Sequence, residues 1–216
     1  MASSLFPSLD KLVQAAPLLA AVPLLVLAGC DRNPLIVNRS SCPAVAVAAF
    51  VGDASLFRPG EPDVANLDLV ATITNVRDEC TETPEMFLSR VSYDVVARRT
   101  DIAAARTVTL PLFVAVVQGG NLVNAKQISQ VQVNFAAGQE RALASGTATA
   151  SVSRTAAAVP AAILEKINRK RRPGDTDAAT DPMADPEVRA ALRTASFEVL
   201  LGFQLDDRAL AYNISK

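Results

Sequence analysis

The chain has 216 residues, and 50% of them are hydrophobic, which is enough to bury the core of one ordinary domain. Its 21 basic and 22 acidic residues leave a net charge of -1, without the basic surplus that nucleic-acid-binding proteins carry. It contains no histidine, which excludes Ser–His–Asp and Cys–His catalytic sites. The composition therefore indicates a globular domain that uses neither nucleic-acid binding nor imidazole chemistry.

The first 30 residues have the organisation of an export signal. A polar start with one cation, Lys11, precedes an apolar run over about 12–27 that is interrupted by Pro17 and Pro23. The run is shorter than the ~20 residues that a membrane-spanning helix needs. Such a segment is typical of a cleaved signal peptide rather than of a transmembrane anchor.

The end of this segment, Leu27-Ala28-Gly29-Cys30, resembles the lipobox of bacterial lipoproteins. The resemblance implies cleavage before Cys30, a thioether-linked diacylglycerol on its thiol and acylation of the new amino terminus. Two or more acyl chains hold a protein stably on a bilayer, whereas one chain binds reversibly. Asp31 resembles a signal that keeps some lipoproteins on the inner membrane, with outer-membrane sorting left open. The alternative is an ordinary secretory signal that happens to contain a cysteine.

The lipobox resemblance divides the chain into three parts. Residues 1–29 would be the signal peptide, 30–41 the lipidated cysteine and its tether, and 42–216 a folded domain on the periplasmic face of a membrane. Cys42 and Cys80 then remain as two cysteines in an oxidising compartment. Cys42 precedes one strand-like run and Cys80 ends another, so antiparallel pairing of the two strands would bring the thiols together. We predict a disulfide; the alternative is two separate, partly buried thiols.

Strand-like runs, with apolar residues at every second position, follow Cys42. They predict strands over about 44–51, 67–76, 88–97, 107–117, 121–135 and 141–153. The segment 52–63 is predicted to be a turn, and the strand over 141–153 is small and polar, which favours an exposed edge. Pro111 favours an edge position or a bulge for its own strand.

An insertion over about 155–196 interrupts the strands. It contains a helix that begins after Pro160, a loop rich in proline and aspartate, and a second helix over about 186–195. The strand after it, over 197–205, is nearly all apolar and is therefore predicted to be central. One helical turn that docks Leu210 and Tyr212 is predicted to end the chain.

Seven short strands joined by hairpin turns predict an all-β fold, an antiparallel β-sandwich that resembles immunoglobulin or fibronectin type III domains. The resemblance is one of architecture. The chain contains no tryptophan and therefore lacks the Cys–Trp–Cys pattern of true immunoglobulin domains. The small helical insertion would precede the last strand.

Two groups of charged residues in the insertion are candidate sites. The basic group comprises Lys166, Arg169, Lys170, Arg171 and Arg172. These cations can contact anionic lipid headgroups, or they can stabilise a helix C-terminus and pair with the acids that follow, which is the favoured interpretation. The acidic group comprises Asp175, Asp177, Asp181 and Asp185, whose spacing does not match a calcium-binding EF-hand loop and predicts a solvated linker.

The sequence predicts a lipid-anchored envelope protein with no catalytic residue, metal or other cofactor. Its expected role is that of a structural, accessory or assembly subunit of a membrane complex, with contacts to envelope proteins through edge strands and the insertion. One alternative is a binder of a small apolar or lipid ligand, which requires a cavity of at least several hundred Å³ between the sheets. Another is a hydrolase with paired carboxylates such as Asp206 and Asp207.

Overall fold

The computed structural model describes residues 41–215, which form eight strands and three α-helices. The strands are β1 (Ala44–Val47), β2 (Asp53–Phe57), β3 (Leu67–Glu82), β4 (Met86–Arg99), β5 (Arg106–Gln118), β6 (Leu122–Phe135), β7 (Arg141–Ser153) and β8 (Phe197–Phe203). The helices are α1 (Ala161–Asn168), α2 (Pro186–Thr194) and α3 (Asp207–Ser215), with a 3₁₀ turn over Pro182–Ala184. Over this range, none of the helices has both the length and the hydropathy to cross a bilayer.

Two four-stranded sheets make up the fold. Sheet 1 has the order β1–β8–β5–β6, and sheet 2 has the order β2–β3–β4–β7. All neighbouring strands pair antiparallel except β1 and β8, which are parallel. The predicted all-β sandwich is therefore confirmed, and the insertion lies between β7 and β8, as expected.

The core lies between the two sheets and follows the alternation in the sequence. In β4, the side chains of Val91, Tyr93, Val95 and Ala97 are all buried in one cluster with the inner residues of β5 and β8. Removing an aliphatic side chain of this kind from water contributes roughly 1.5–3 kcal/mol. The central position predicted for β8 is also confirmed, since it lies between β1 and β5.

The prediction of a turn over 52–63 is wrong for its first half. Asp53–Phe57 form β2, which pairs antiparallel with β3 and has Ala54 and Ser55 buried. A five-residue strand at a sheet edge offers too few alternating positions to be told from a loop. Helix α3 also stabilises β2. The contact joins residues 160 positions apart in the sequence, so no local pattern indicates it. The sandwich accordingly has eight strands rather than seven.

The predicted disulfide is confirmed, but the strand pairing from which it was argued is wrong. Cys42 and Cys80 are bonded, with their Cα atoms 6.2 Å apart. β1, which follows Cys42, pairs in parallel with β8 in sheet 1, whereas Cys80 lies in β3 of sheet 2. The bond therefore joins the two sheets rather than two neighbouring strands.

The edge position predicted for the strand of Pro111 is also wrong, because β5 lies inside sheet 1. Leu112 pairs with Phe203, the last residue of β8, and the Gln204 amide donates to the Pro111 carbonyl at 2.9 Å. The N–H and C=O of a strand residue point to the same side, so the missing N–H of Pro111 faces the end of β8. The proline therefore costs β5 no hydrogen bond to β6.

The C-terminus is a nine-residue helix rather than the predicted single turn. Asp206 begins it by accepting the Ala209 amide at 2.8 Å. Asn213 then donates from Nδ2 to the carbonyls of Phe50 and Asp53, at 2.9 and 2.8 Å. Tyr212 docks as predicted, with its ring edge-on to that of Phe57. Helix α3 thus covers the outer edge of β2.

A glycine in β7 leaves room for the ring of Tyr93, which lies on the neighbouring strand of the same sheet. Gly146 pairs with Tyr93, and a Cβ at this position would lie 2.5 Å from the phenol Cζ and hydroxyl oxygen of that buried ring. We expect Gly146→Ala to lower the free energy of unfolding by roughly 1–3 kcal/mol, as overpacked cores do. Urea denaturation measures this, with Thr147→Ala on the opposite face as a near-neutral control. Wild-type stability for Gly146→Ala would contradict the close packing.

Candidate functional site

The long edge of sheet 2 is the strongest candidate for a binding site. β7 has 13 residues and pairs with β4 along its whole length, from Met86↔Ser153 to Arg98↔Arg141, without a register shift. Among residues 41–215, no other strand pairs with its second side. The exposed edge predicted for 141–153 is confirmed.

The hydrogen bonds at the two ends of the β4–β7 ladder show which backbone groups are free. The Arg99 amide donates to the Glu140 carbonyl at 3.0 Å, and the Arg154 amide donates to the Glu85 carbonyl at 2.9 Å. Bonded and non-bonded pairs alternate in an antiparallel ladder, so the even-numbered residues of β7 bond to β4. The odd-numbered residues therefore turn their N–H and C=O groups to the free edge. Between the strand ends these are Leu143, Ser145, Thr147, Thr149 and Ser151.

β7 lacks the features by which proteins protect a sheet edge. From Ala142 to Ser153 it contains no charged residue and no proline. The opposite edge of sheet 2 is five residues long and is covered by α3, and β1 in sheet 1 has only four residues. β6, the other long edge, carries the cation Lys126. Within residues 41–215, β7 is therefore the edge best suited to accept another strand.

A cavity of about 710 Å³ adjoins this edge. It is lined by Glu79, Thr81, Leu88, Ser89, Arg90, Gln127, Thr149, Ala150 and Ser151. Glu79 and Arg90 are direct cross-strand partners, so the cavity has one charge of each sign. The other side chains are mainly hydroxyls and small groups. The lining suits polar side chains better than an apolar ligand.

Asp78 adds a perturbed carboxyl group beside this cavity. It pairs with Val91 and lies close to the hydroxyl of Ser89, a residue that is almost fully buried. Burial raises the pKa of Asp78, the Ser89 hydroxyl lowers it in part, and the charge of Glu79 adds to the increase. This carboxyl group therefore takes up a proton at a higher pH than a free aspartate does.

The predicted lipidation motif lies outside the described residues. It comprises Leu27, Ala28, Gly29, Cys30 and Asp31, all of which precede residue 41. Its function stays a prediction from the sequence. Of the predicted site residues that the structure describes, Cys42 and Cys80 are the pair that it brings together.

The basic group of the insertion is largely ion-paired. Lys166 contacts Glu187 and lies 3.7 Å from Asp185, and its hydrogen bond to Glu187 raises the pKa of Lys166. Arg169 and Arg171 both pair with Asp177. These contacts match the favoured interpretation, in which the cations pair with the acids that follow them. Contact of the group with headgroups, including the exposed Lys170 and Arg172, stays a prediction.

The acids of the insertion accept hydrogen bonds from the chain itself. Asp181 accepts the Met183 amide at the start of the 3₁₀ turn, and Asp185 accepts the Glu187 amide at the start of α2. Asp175 accepts the Arg172 amide. Among the residues that the structure describes, no three acidic or sulfur ligands are grouped so that they could hold a metal ion.

Asp206 and Asp207, the residues of the carboxylate alternative, lie at the start of α3. Asp206 caps the helix through the Ala209 amide, and Asp207 occupies the first turn, where a negative charge is favourable. Arg208 of the same turn donates to the Gly60 carbonyl at 2.8 Å. Both acids therefore stabilise the start of helix α3.

Comparisons of this chain with protein-family models, with curated proteins and with solved structures found no match. The site is therefore argued from its geometry. Sequence analysis identified the edge but not the cavity, because its lining comes from β3, β4, β6 and β7, which are far apart in sequence. The one local signal for the site is the run from Ala142 to Ser153, in which small residues alternate with hydroxyl-bearing ones and charges are absent.

Proposed function

We propose that this chain is a lipid-anchored protein of the cell envelope that binds a protein partner by adding a strand of that partner to β7. The anchor rests on the lipobox resemblance that ends at Cys30. The partner site rests on one observation, the long free edge of sheet 2, which carries no charge from Ala142 to Ser153. The role is structural or accessory rather than catalytic, and the membrane is the periplasmic face of the inner membrane if Asp31 acts as a retention signal.

Strand addition uses the backbone for affinity and side-chain pockets for specificity. Each odd-numbered residue from Leu143 to Ser151 offers one donor and one acceptor to an incoming strand. The side chains beside them are small, so a partner backbone can approach closely. Every second side chain of the partner would face the cavity that contains Glu79 and Arg90, which favours a polar or hydroxyl-rich segment.

The immunoglobulin-like character of the sandwich is part of the proposal. In immunoglobulin folds, strands B and E share one sheet while C and F share the other. Here β4 pairs with β7 and β5 pairs with β8, and these strands follow one another in the corresponding order. A departure is that β1, running parallel to β8, occupies the place beside it where an antiparallel last strand is usual.

Proline substitution on the two sides of β7 tests the edge. Thr147→Pro removes an N–H that points to the free edge and leaves the β4 ladder intact. We expect this variant to fold normally and to lose capture of the partner at least about tenfold, a loss of ~1.4 kcal/mol of binding. In-cell crosslinking followed by purification from detergent-extracted membranes measures the capture.

Ala148→Pro is the matched control for this test. It removes an N–H that bonds to β4, so we expect it to destabilise the domain itself. Undiminished capture by a folded Thr147→Pro variant would contradict strand addition at β7. Failure of the wild-type chain to retain any protein would contradict the adaptor role altogether.

A further inference from the structure

The two sheets differ in what they present to their surroundings. In sheet 1, Phe113 pairs with Gly202 on one side and with Ile128 on the other. A Cβ at Gly202 would lie 2.5 Å from Val51 Cγ2 and 2.9 Å from the Phe113 ring. These residues therefore form an apolar row across the outer face of the sheet.

The β6 end of this row is widely exposed. Ile128 is 61% exposed and Val123 is 56% exposed. Lys126 lies within the same stretch, with its Nζ 4.5 Å from the centre of the Phe113 ring. We call Phe113, Val123, Lys126 and Ile128 the β6 patch; it has one cation and no carboxylate.

The outer face of sheet 2 has a different chemistry. Asp94 accepts hydrogen bonds there from Asn75 and Ser145, and Glu79 pairs with Arg90. These polar and charged groups suit contact with water. Three apolar side chains are exposed on the same face: Leu88, Val96 and Leu143. The outer face of sheet 2 therefore mixes apolar groups with carboxylates, whereas the patch on sheet 1 contains no carboxylate.

At the other end of the row, Phe50 is 60% exposed and has a positive φ of 64°. This backbone conformation is unfavourable for a bulky residue, with a cost on the order of 1–3 kcal/mol. Asn213 of α3 holds the Phe50 carbonyl by a hydrogen bond of 2.9 Å. The fold therefore maintains an exposed aromatic residue next to Val51 against a local conformational cost.

The number of residues between the proposed lipid anchor and β1 indicates that a bilayer is what covers this apolar row. Cys30 precedes Ala44, the first residue of β1, by 14 residues, and β1 belongs to sheet 1. At no more than ~3.3–3.6 Å per residue, a tether of this length spans at most about 50 Å. The anchor would therefore hold the bilayer within reach of the sheet that carries the apolar row, at a high effective concentration.

We infer that the β6 patch and Phe50 dock on the surface of the bilayer that holds the lipid anchor, an inference that rests on the proposed function. Exposed apolar side chains would enter the boundary between headgroups and acyl chains. Lys126 would meet anionic headgroups. The patch itself contains no carboxylate; Glu198 lies on the same face but on β8, two strands away from β6. The domain would then lie with the outer face of sheet 1 on the membrane.

Single tryptophans test this orientation, because the chain contains none of its own. Ile128→Trp places one in the patch, and Leu143→Trp places one on the outer face of sheet 2 at a residue that is 64% exposed. Both variants are prepared as full-length lipidated protein in vesicles of phosphatidylcholine and phosphatidylglycerol with brominated acyl chains. We expect the tryptophan at position 128 to be quenched at least about twofold more than that at 143, since it lies within the acyl boundary.

Flotation of the same vesicles separates the anchor from the docking. Protein that floats but shows equal quenching at positions 128 and 143 would overturn the docking and leave the anchor standing. Wild-type protein that does not float would overturn the anchor and the docking with it. A co-purifying protein that shields position 128 from acrylamide when lipid is absent would also overturn the inference, because the patch would then be a protein interface.

Discussion

Arg99→Met is expected to lower the free energy of unfolding by on the order of 3 kcal/mol or more. Arg99 is only 2% exposed, and none of the ion pairs within residues 41–215 involves it. Its guanidinium instead donates to carbonyls of the two loops that follow β4 and β6, and it lies 5.0 Å from the centre of the Phe135 ring. The accepting carbonyls belong to Ala104, Ala136, Gln139 and Ile102. Methionine would remove the guanidinium donor from all four. The Ile102 and Ala136 carbonyls would keep the amides of Gly138 and Gln139, whereas the Ala104 and Gln139 carbonyls would lose the donor shown for them, at about 1–3 kcal/mol for each that stays buried.

Urea denaturation of purified protein measures this effect. Arg98→Ala is the control, because Arg98 is exposed and its ion pair with Glu140 lies at the surface; we expect that variant to stay close to wild type. Arg99→Lys should not restore stability, since an ammonium group cannot reproduce the planar set of donors. A stable Arg99→Met variant would show that the two loops hold their positions without the guanidinium.

Removing the disulfide is the second change with a large expected effect. The Cys42–Cys80 bond closes a loop of 38 residues, for which chain entropy alone predicts a contribution of about 3–4 kcal/mol. It also joins the two sheets, so its loss should affect the whole sandwich. We expect Cys42→Ala combined with Cys80→Ala to lower the unfolding free energy by about this amount.

A reductant separates the stability lost with the disulfide from any stability lost because two side chains were replaced. Dithiothreitol should lower the stability of the wild-type protein towards that of the double variant and should leave the double variant unchanged. Equal stability of the wild type with and without reductant would mean either that the bond is absent or that it contributes nothing.

Much of the fold could be predicted because its signals are local. The alternation of Val91, Tyr93, Val95 and Ala97 identifies both β4 and the face that it buries. The same alternation extends to Arg99, so the sequence contained a sign that this cation points inward. The apolar run of β8 indicated a central strand for the same physical reason.

The features that could not be predicted depend on contacts between distant residues. β2 has five residues, and its edge is completed by Asn213 of α3. β1 pairs with β8, about 150 residues later, in an orientation that its four residues do not specify. In the candidate site, the free edge could be predicted from a run of small polar residues. The cavity beside it could not, because its prediction would need the relative positions of four strands.

The two proposed contacts do not compete for the same surface. The β6 patch belongs to the outer face of sheet 1, and the free backbone groups of β7 belong to the edge of sheet 2. The two surfaces adjoin, because Gln127 of β6 lines the cavity at the β7 edge, so a domain that lies on the bilayer through sheet 1 would hold a partner strand close to the membrane. Such an arrangement would fix the position of the partner relative to the membrane.

Mass spectrometry of the mature amino terminus shows whether the lipid anchor is present. We expect protein isolated from membranes to begin at residue 30, with a diacylglyceryl thioether on the cysteine and a further acyl chain on its amine. An unmodified cysteine at position 30, or a chain that still begins at Met1 in the cytosol, would contradict the anchor.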